Sequence, residues 1–398
     1  MVGTQSRFLI EGLLKTGKYS FRCFGGAVKH GNYDTVVVNE DFVIKPVDGF
    51  SNPEMIRMAL ATEKPDAMIL FTDPRFFIWL LKMEDEIHQI CPILWNCIWD
   101  SEPTPAYNRW IYDSVDQLNC ISHLTYDLIS QLQPKEKVDF TPHALPENLF
   151  FPLKDTEKKK WKKQLLGEDR KDHFIGLWVS RNARRKRTGD LLWGWSEFVK
   201  KLEKTEGHKN ATLILHADPL DQEGLNVYEL MEHFKITNNV FISKEKLAFE
   251  QVNILHNVAD FGINVSHSEG WGLPITESLQ AGTPVIAPKT GGLTYQVVNK
   301  ETGEEHGIAM NVDLKTLVGS QDIPYIYENY SSIETISNSI MKMYEIGNKK
   351  RQELGQKGRE YVLKNFSYDM LIKKWDKSLE KTIKNWKKTY KNWEKVEL

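Results

Sequence analysis

Strand-like and helix-like segments alternate along nearly the whole chain, and this alternation constrains the fold more than any other sequence feature. Apolar runs such as Ile93–Ile98 and Phe174–Val179 are separated by longer segments with helical periodicity, such as Pro53–Thr62. Strands that alternate with helices build parallel sheets covered by helices. The sequence therefore predicts the α/β class, and 398 residues are enough for two to three domains.

A change in composition near Phe151 predicts a domain boundary. The segment Asp155–Lys163 is polar and rich in lysine, and a second alternating series of strands and helices follows it. We therefore predict one Rossmann-like, doubly wound domain over residues 1–151 and a second over residues 152–366. Residues 367–398 form a third segment, a predicted C-terminal helix.

The composition disfavours several classes of protein. Lysine and arginine total 52 against 54 acidic residues, a formal charge of −2, whereas general nucleic-acid binders usually carry a basic excess. The four cysteines form no Cys-x-x-Cys pair and no visible disulfide framework, which argues against structural zinc and fits a reducing compartment. No apolar run approaches the ~20 residues needed to span a bilayer. We expect a cytoplasmic protein, peripheral to a membrane at most.

The predicted C-terminal helix has a strongly amphipathic pattern. Apolar residues recur every three or four positions, and lysines occupy the other faces. The stripe consists of Ile372, Trp375, Leu379, Ile383, Trp386, Tyr390 and Trp393. One interpretation is a surface helix that packs on another domain. The alternative is an interfacial helix on an anionic membrane, since Trp and Lys are common in such helices.

The most informative motif runs from Ser266 to Gly292 and reads SHSEGWGLPITESLQAGTPVIAPKTGG. A predicted strand precedes a glycine-containing loop, and Pro274 suits the first position of the helix that follows. Free backbone amides at a helix N-terminus form a natural anion site. Glu269 lies before this point and Glu277 is expected in the first turn, where both carboxylates can bind hydroxyls. A nucleotide sugar fits this pattern, and a helix end with a favourable Glu is the structural alternative.

A second motif, WVSRNARRKRTGD over Trp178–Asp190, contains five basic residues among seven consecutive positions. It lies between a predicted strand and a predicted helix, and open α/β sheets bind ligands at the carboxyl ends of their strands. Arg181 and Lys186 are the expected phosphate partners, Arg as a bidentate donor and Lys as a point charge. The alternatives are a solvated loop or a nucleic-acid patch, although the net charge disfavours the patch.

Together these motifs resemble those of the family-4 retaining glycosyltransferases, which have the two-domain GT-B fold. The family's two glutamates, separated by seven residues, correspond to Glu269-Gly-Trp-Gly-Leu-Pro-Ile-Thr-Glu277, followed by Ala281-Gly282-Thr-Pro-Val-Ile-Ala. Arg181 and Lys186 match the family's Arg and the Lys about five positions later. The segment that closes the first domain in this family is similar to Thr141-Pro142-His143 and Phe150-Phe151-Pro152.

The resemblance implies a fold and a set of binding roles. The fold would be two Rossmann-like domains that face each other across a cleft, with a long C-terminal helix. Arg181 and Lys186 would neutralise the donor diphosphate. Glu277 would hold the ribose hydroxyls, and Glu269 would contact the transferred sugar. The donor would also contact the loop residues Gly270, Trp271, Gly272 and Leu273. The acceptor, a glycan, a lipid or another small molecule, would lie toward the first domain.

The implied reaction is transfer of a sugar from a nucleotide-sugar donor with retention of the anomeric configuration. Bond cleavage leaves negative charge on the nucleoside diphosphate, which Arg181, Lys186 and the helix N-terminus would stabilise. We therefore expect no metal and no cofactor beyond the donor substrate. Glu269 is better suited to stabilise a cationic sugar than to act as a covalent nucleophile. A catalytically silent GT-B protein that binds nucleotide sugars is the alternative.

In the first half of the chain, Asp100 is a further candidate catalytic residue. It follows the apolar strand Pro92–Ile98, and the family often has a His or Asp at this point, facing the donor sugar. Asp100-Ser-Glu102 also imitates the metal-binding Asp-x-Asp of metal-dependent glycosyltransferases. The structural alternative is a helix-capping acid before Pro103 and Pro105.

The sequence departs from the family pattern in two places. Met1-Val-Gly3-Thr-Gln-Ser resembles the glycine loop that normally follows the first strand, so we expect either a start further upstream or a thinned first sheet. Gly3 is the candidate for a close approach to the donor phosphates. Gly291-Gly292 is followed by Leu-Thr-Tyr295-Gln296 where the family often has a Glu, so the contact made by that Glu is lost or altered.

Overall fold

The chain divides into two units, each with buried apolar residues of its own. The structure is a computed structural model that describes residues 2–27 and 29–390. The first unit comprises the chain up to His143 with residues 320–324 and 369 onward, and the second comprises residues 144–319 and 325–368. The division falls at 143/144 instead of the predicted 151/152, because Leu145 and Phe150 are buried in the second unit.

The first unit contains two sheets. Its strands are β1 (Phe21–Gly25), β2 (Val36–Asn39), β3 (Phe42–Pro46), β4 (Met68–Phe71), β5 (Ile93–Cys97), β6 (Gln117–Cys120) and β7 (Val138–Phe140). Its first six α-helices are α1 (Val2–Leu14), α2 (Pro53–Glu63), α3 (Ile78–Leu81), α4 (Glu84–His88), α5 (Arg109–Asp113) and α6 (His123–Ile129). Strand β3 pairs in parallel with β1 and antiparallel with β2, whereas β4, β5, β6 and β7 form a parallel sheet in that order.

The parallel sheet of the first unit is built around β5, whose five residues are all buried. The indole N–H of Trp95 donates to the carbonyl of Thr72 (2.9 Å), which satisfies the one polar atom of a large apolar side chain. Helix α2 begins where Asn52 accepts a hydrogen bond from the backbone N–H of Met55 (3.0 Å), and Pro53 occupies its first turn.

The second unit contains a six-stranded sheet and a hairpin. Its strands are β8 (Phe174–Val179), β9 (Ala211–His216), β10 (Val240–Ser243), β11 (Phe261–Ile263), β12 (Val285–Pro288), β13 (Ile308–Met310), β14 (Leu314–Val318) and β15 (Ile326–Tyr330). Its helices are α7 (Asp155–Leu166), α8 (Thr188–Glu206), α9 (Val227–His233), α10 (Phe249–Val258), α11 (Leu273–Gln280), α12 (Thr294–Val297), α13 (Ile333–Glu345) and α14 (Gly347–Asn365). Strands β14 and β15 pair antiparallel.

The strand order of the six-stranded parallel sheet reverses at its centre. The order is β10-β9-β8-β11-β12-β13, so the chain runs outward from β8 and then returns to continue from the other side of β8. At such a reversal the connections after the two central strands turn to opposite faces of the sheet and leave a crevice. The carboxyl ends of β8 and β11 are therefore the expected ligand-binding edge.

A long helix, α15 (Tyr368–Thr389), belongs almost wholly to the first unit and packs its apolar stripe there. Leu371, Trp375 and Leu379 are buried, and the hydroxyl of Ser378 donates to the side-chain amide oxygen of Asn119 (2.9 Å). Trp393, the last residue of the predicted stripe, lies outside the described residues. Among the described helices, none combines the length and hydrophobicity that a membrane crossing requires.

Three sequence-based expectations differ from the structure. Gly3 lies in the first turn of α1, exposed, and not in a glycine loop, because residues 2–14 are helical. The sequence pattern over Tyr107–Leu118 predicts one helix, but α5 ends at Asp113, and Gln117 and Leu118 belong to the buried strand β6. Strand β3 and the hairpin β14–β15 were not predicted. The strands of the hairpin mix apolar and polar residues without a clear alternating pattern.

We predict that Trp375→Ala destabilises the first unit by about 3–5 kcal/mol, because the indole is fully buried and its removal leaves a large cavity. Hydrogen exchange of first-unit amides together with urea unfolding measures the effect. Lys373→Ala, at an exposed position of the same helix, is the matched control and should change stability by less than about 0.5 kcal/mol. Equal effects of the two substitutions would contradict the packing of the stripe.

Candidate functional site

The loops after β8 and β11 carry the two sequence motifs. Residues 180–187 connect β8 to α8, and residues 264–272 connect β11 to α11. The backbone N–H of His267 donates to the carbonyl of Arg185 (3.2 Å), which joins the two loops directly. The reversal in strand order thus brings together segments that are about 80 positions apart in sequence, as the Lys186–Glu269 contact between them illustrates.

A buried carboxylate lies at the centre of this site. Glu269 is 3% exposed, and its carboxylate accepts hydrogen bonds from Nζ of Lys186 and from Nη1 of Arg185 (3.0 Å). The hydroxyl of Ser266 donates to Oε1 of the same carboxylate (3.1 Å). The Lys186 side chain is as buried as that of Glu269. Both interior charges are therefore paired, which offsets their loss of hydration.

The two cations decide the ionisation of Glu269. Burial alone raises the pKa of this carboxyl, because it disfavours the charged form. The charges of Lys186 and Arg185, and the hydrogen bonds they donate, outweigh burial and hold the pKa of Glu269 at about 2. Glu269 is consequently a permanent anion near neutral pH.

Arg181 is paired with two acidic residues of the loop after β9. Its exposed guanidinium forms a bidentate pair with Asp221 (2.7 and 3.0 Å) and a further ion pair with Glu223 (3.0 Å). The hydrogen bond to Asp221 raises the pKa of Arg181. Of the two residues expected to bind the diphosphate, Arg181 is paired with Asp221, whereas Lys186 shares the carboxylate of Glu269 with Arg185.

A single 3₁₀ turn, Arg184–Lys186, determines which basic residues reach Glu269. Arg184 contacts Glu328 (3.4 Å), whereas the next two residues contact Glu269. Sequence reasoning missed Arg185 because the sequence pattern does not distinguish one arginine from the next in a run of basic residues. Only the geometry of the turn distinguishes them.

Glycines let the loop before α11 pack tightly against a neighbouring segment. Gly272 has a φ of 93°, in the left-handed region that favours glycine. A Cβ atom at Gly292 would lie 2.2 Å from the carbonyl oxygen of Gly270, so only glycine fits there. The backbone N–H of Gly292 donates to the carbonyl of Glu269 (2.8 Å), and α11 begins at Leu273.

The side chain of Trp271 points into the protein interior. Its indole N–H donates to the hydroxyl of Thr276 (2.8 Å), and its ring forms a T-shaped contact with Phe366, with 5.0 Å between the ring centroids. Gln296 accepts a hydrogen bond from Thr276 (2.8 Å) and donates to the carbonyl of Trp271 (2.6 Å). Gln296, near the position of the family's Glu, therefore fixes this loop, and Trp271 offers a ligand only its backbone.

Glu277 is the fifth residue of α11, at the start of the second turn, so its expected position in the first turn is wrong. Its side chain is 14% exposed, and its Oε2 contacts Nε2 of buried His256 (3.1 Å). Sequence reasoning missed His256, because a lone histidine on an apolar helix carries no signal of its own.

Strand β15 adds a second buried acid. Glu328 is 4% exposed and contacts Arg184, the hydroxyl of Tyr330 and, at 3.6 Å, Nε2 of His267. Burial lowers the pKa of His267 to about 4, although the negative charge of Glu328 opposes that shift. His267 is thus neutral near pH 7. No motif in the sequence marked this hairpin as part of the site.

Asp100 and Gly3, the two remaining candidate residues, belong to the first unit. Asp100 is half-buried after β5, where the hydroxyl of Ser101 lies 3.3 Å from its carboxylate. Within residues 2–27 and 29–390, no three or more His, Cys, Asp or Glu side chains are grouped so that they could hold a metal ion.

The sequence profile of the family described as "Glycosyl transferases group 1" matches residues 169–305, which contain both motifs and the cluster around Glu269. Residues 169–305 are therefore similar to the group 1 glycosyltransferases. The resemblance to this group and the α/β, GT-B fold predicted from the sequence are confirmed.

Two curated relatives and one solved structure illustrate the similarity. N-acetyl-alpha-D-glucosaminyl L-malate synthase from Bacillus anthracis is 21% identical over 61% of this chain and 64% of the relative. Alpha-monoglucosyldiacylglycerol synthase from Streptococcus pneumoniae is 25% identical over 66% of this chain and 56% of the relative. The chain thus matches less than two thirds of the length of either relative. Anabaena HepE in complex with UDP and glucose has a TM-score of 0.63 at 14% identity, covering 85% of this chain and 86% of HepE.

We predict that Glu269→Gln removes a pH-dependent part of the folding stability. The pKa of about 2 in the folded protein lies below the ordinary Glu pKa of ~4.3. The ionised carboxylate therefore contributes its full stabilisation above pH ~4.3, and this contribution is lost as the pH falls through about 2. Urea unfolding between pH 7 and pH 2 should therefore give a difference between wild type and variant that shrinks in acid.

Glu206→Gln, a substitution of an exposed acid in the same unit, provides the control and should show no comparable trend. A wild-type advantage over Glu269→Gln that is constant with pH would contradict the lowered pKa.

Proposed function

We propose that this protein is a retaining glycosyltransferase that moves a sugar from a nucleotide-sugar donor to an acceptor without a divalent metal. The observation that carries the proposal is the buried cluster of Glu269, Lys186 and Arg185 at the point where the strand order reverses. Two fixed cations beside a glycine loop and a helix N-terminus suit a diphosphate.

Each group in this site has a proposed role. Lys186 and Arg185 bind the donor diphosphate together with backbone N–H groups of residues 270–273. Glu277 accepts a hydrogen bond from a ribose hydroxyl, since its carboxylate remains partly exposed. Glu269 holds the two cations in position and stabilises the positive charge that develops on the transferred sugar.

The charges of the site favour departure of the diphosphate. As the glycosidic bond breaks, its electron pair moves to the diphosphate oxygen, where Lys186 and Arg185 stabilise the new charge. Glu269 is a weak nucleophile because two cations hold its pKa at about 2. Retention without a covalent intermediate requires that the acceptor hydroxyl attack on the face from which the diphosphate leaves, and its proton can pass to the leaving oxygen.

The substrates of similar proteins indicate which donors and acceptors to test. The HepE complex contains UDP and glucose, which makes a UDP-sugar the first donor to test. The names of the two curated relatives refer to L-malate and to a glucosyldiacylglycerol, so we propose a small hydroxyl-bearing molecule or a lipid as the acceptor class.

A lipid acceptor would require contact with a membrane surface, and we propose a cytoplasmic protein that is peripheral to a membrane in that case. Ile372, Trp375 and Leu379 of the α15 stripe are already buried, with Trp375 1% exposed, whereas Ile383 and Trp386 are half-buried. A membrane contact through α15 would therefore use its exposed lysines, such as Lys373 and Lys377, on anionic headgroups.

We predict that nucleoside diphosphate is released from one donor in a panel of UDP-, GDP- and ADP-sugars, and that Glu277→Ala abolishes this release. EDTA should not change the rate, because fixed cations take the place of a metal. Loss of activity with EDTA would contradict metal independence. Absence of release from every donor, with all candidate acceptors present, would favour the catalytically silent alternative.

We also predict that Arg185→Gln weakens binding of the nucleoside diphosphate about 10- to 100-fold, since a charge-assisted hydrogen bond to phosphate is lost. Calorimetric titration measures the affinity. Arg181→Gln is the matched control and should have the smaller effect, because Arg181 is paired with Asp221. The opposite ranking would mean that Arg181 leaves Asp221 to bind the donor.

A further inference from the structure

His256 lies in α10 with its ring fully enclosed, and both ring nitrogens are within hydrogen-bond distance of residues of α11. Nδ1 is 2.8 Å from the hydroxyl of Ser278, and Nε2 is 3.1 Å from Oε2 of Glu277. A carboxylate can only accept, so Nε2 carries a proton, and in the neutral ring Nδ1 then accepts from the Ser278 hydroxyl. Neutral His256 therefore has one tautomer that satisfies both contacts.

The surroundings fix the histidine ring in this orientation. The hydroxyl of Thr283 donates to the backbone carbonyl of His256 (2.6 Å). The imidazole ring forms a T-shaped contact with Phe150, with 5.7 Å between the ring centroids. A Cβ at Gly262 would lie 2.3 Å from the Ser278 hydroxyl oxygen, so the glycine in β11 leaves room for this hydroxyl. Ser278, His256 and Glu277 form a continuous chain of hydrogen bonds.

This chain of hydrogen bonds has a consequence for the carboxylate of Glu277. The contact with His256 takes Oε2, and within the described part of the protein Oε1 has no hydrogen-bond partner. A flexible Glu side chain is thereby restricted to orientations in which one oxygen is free for a ligand. His216, at the end of β9, is a further titratable group nearby, and the charges of both Glu277 and His256 affect its pKa.

We propose that His256 is a positioning residue that holds Glu277 so that its free oxygen accepts a hydrogen bond from the ribose of the donor. The inference rests on the proposed function, in which Glu277 binds that ribose. His256 itself does not touch the donor. It restricts the Glu277 side chain before the donor binds, so that this side chain loses less conformational entropy on binding.

Two substitutions of His256 separate positioning from structure. In His256→Gln the amide nitrogen takes the approximate position of Nε2 and can still donate to Glu277. In His256→Asn the shorter side chain reaches only the position of Nδ1, next to Ser278. His306→Asn is the matched control, because His306 is a buried histidine of the same unit that stacks on Tyr361 (4.0 Å between ring centroids) and not on Glu277.

The probes are UDP, GDP and ADP, each compared with its 2′,3′-dideoxy form in calorimetric titration. We expect wild type to bind one diphosphate more tightly than the dideoxy form, and His256→Asn to reduce that preference about 5- to 10-fold. His256→Gln should retain the preference. A purely structural role of His256 would weaken both forms equally and leave their ratio unchanged, which would overturn the inference.

Glu277→Ala distinguishes a failure of the positioning role of His256 from a failure of the proposed function of Glu277. If Glu277→Ala removes the preference for the ribose hydroxyls but His256→Asn does not, only the positioning role is wrong. If Glu277→Ala leaves the preference intact, or no diphosphate binds to wild type, the proposed function of Glu277 is wrong and the inference is overturned with it. Loss of preference in the His306→Asn control would likewise overturn it.

Discussion

The buried pair of Lys186 and Glu269 is the interaction on which the carboxyl edge of the second sheet depends. Either charge alone in the interior would cost several kcal/mol of hydration free energy. The pair therefore holds the loop after β8 against the loop after β11. Arg185 adds a second cation to the same carboxylate, which leaves an excess of positive charge beside the backbone amides of residues 270–273.

Much of this arrangement could be predicted from the sequence, because its main determinants are local. The parallel strands of the second unit are short apolar runs between helical segments, and β8 occupies Phe174–Val179, the range that the sequence pattern predicts. The order of glycines, Pro274 and two glutamates predicted a loop that leads into a helix. Lys186 and Glu269 were both identified, although their mutual contact is a property of the strand order and not of either motif.

The remainder depends on long-range geometry that local patterns do not contain. Which of several adjacent arginines meets Glu269 is decided by one 3₁₀ turn. Glu328 reaches the site on a hairpin whose strands have mixed polarity, and His256 reaches Glu277 through the packing of α10 on α11. In each case a polar residue in an ordinary local context becomes part of the site because another element packs against it. In the first unit, β6 was missed for a related reason, since buried Gln117 and Asn119 make a core strand look polar.

The first unit is assembled from both ends of the chain, and this has a consequence for synthesis on the ribosome. Helix α15 covers Asn119 of β6, yet residues 144–368 are translated in between. At typical rates of translation, the apolar surface that α15 covers stays open for on the order of ten to tens of seconds. The second unit has all of its strands and helices before α15 emerges. The two units therefore complete their folding in the reverse of the order in which their first residues are made.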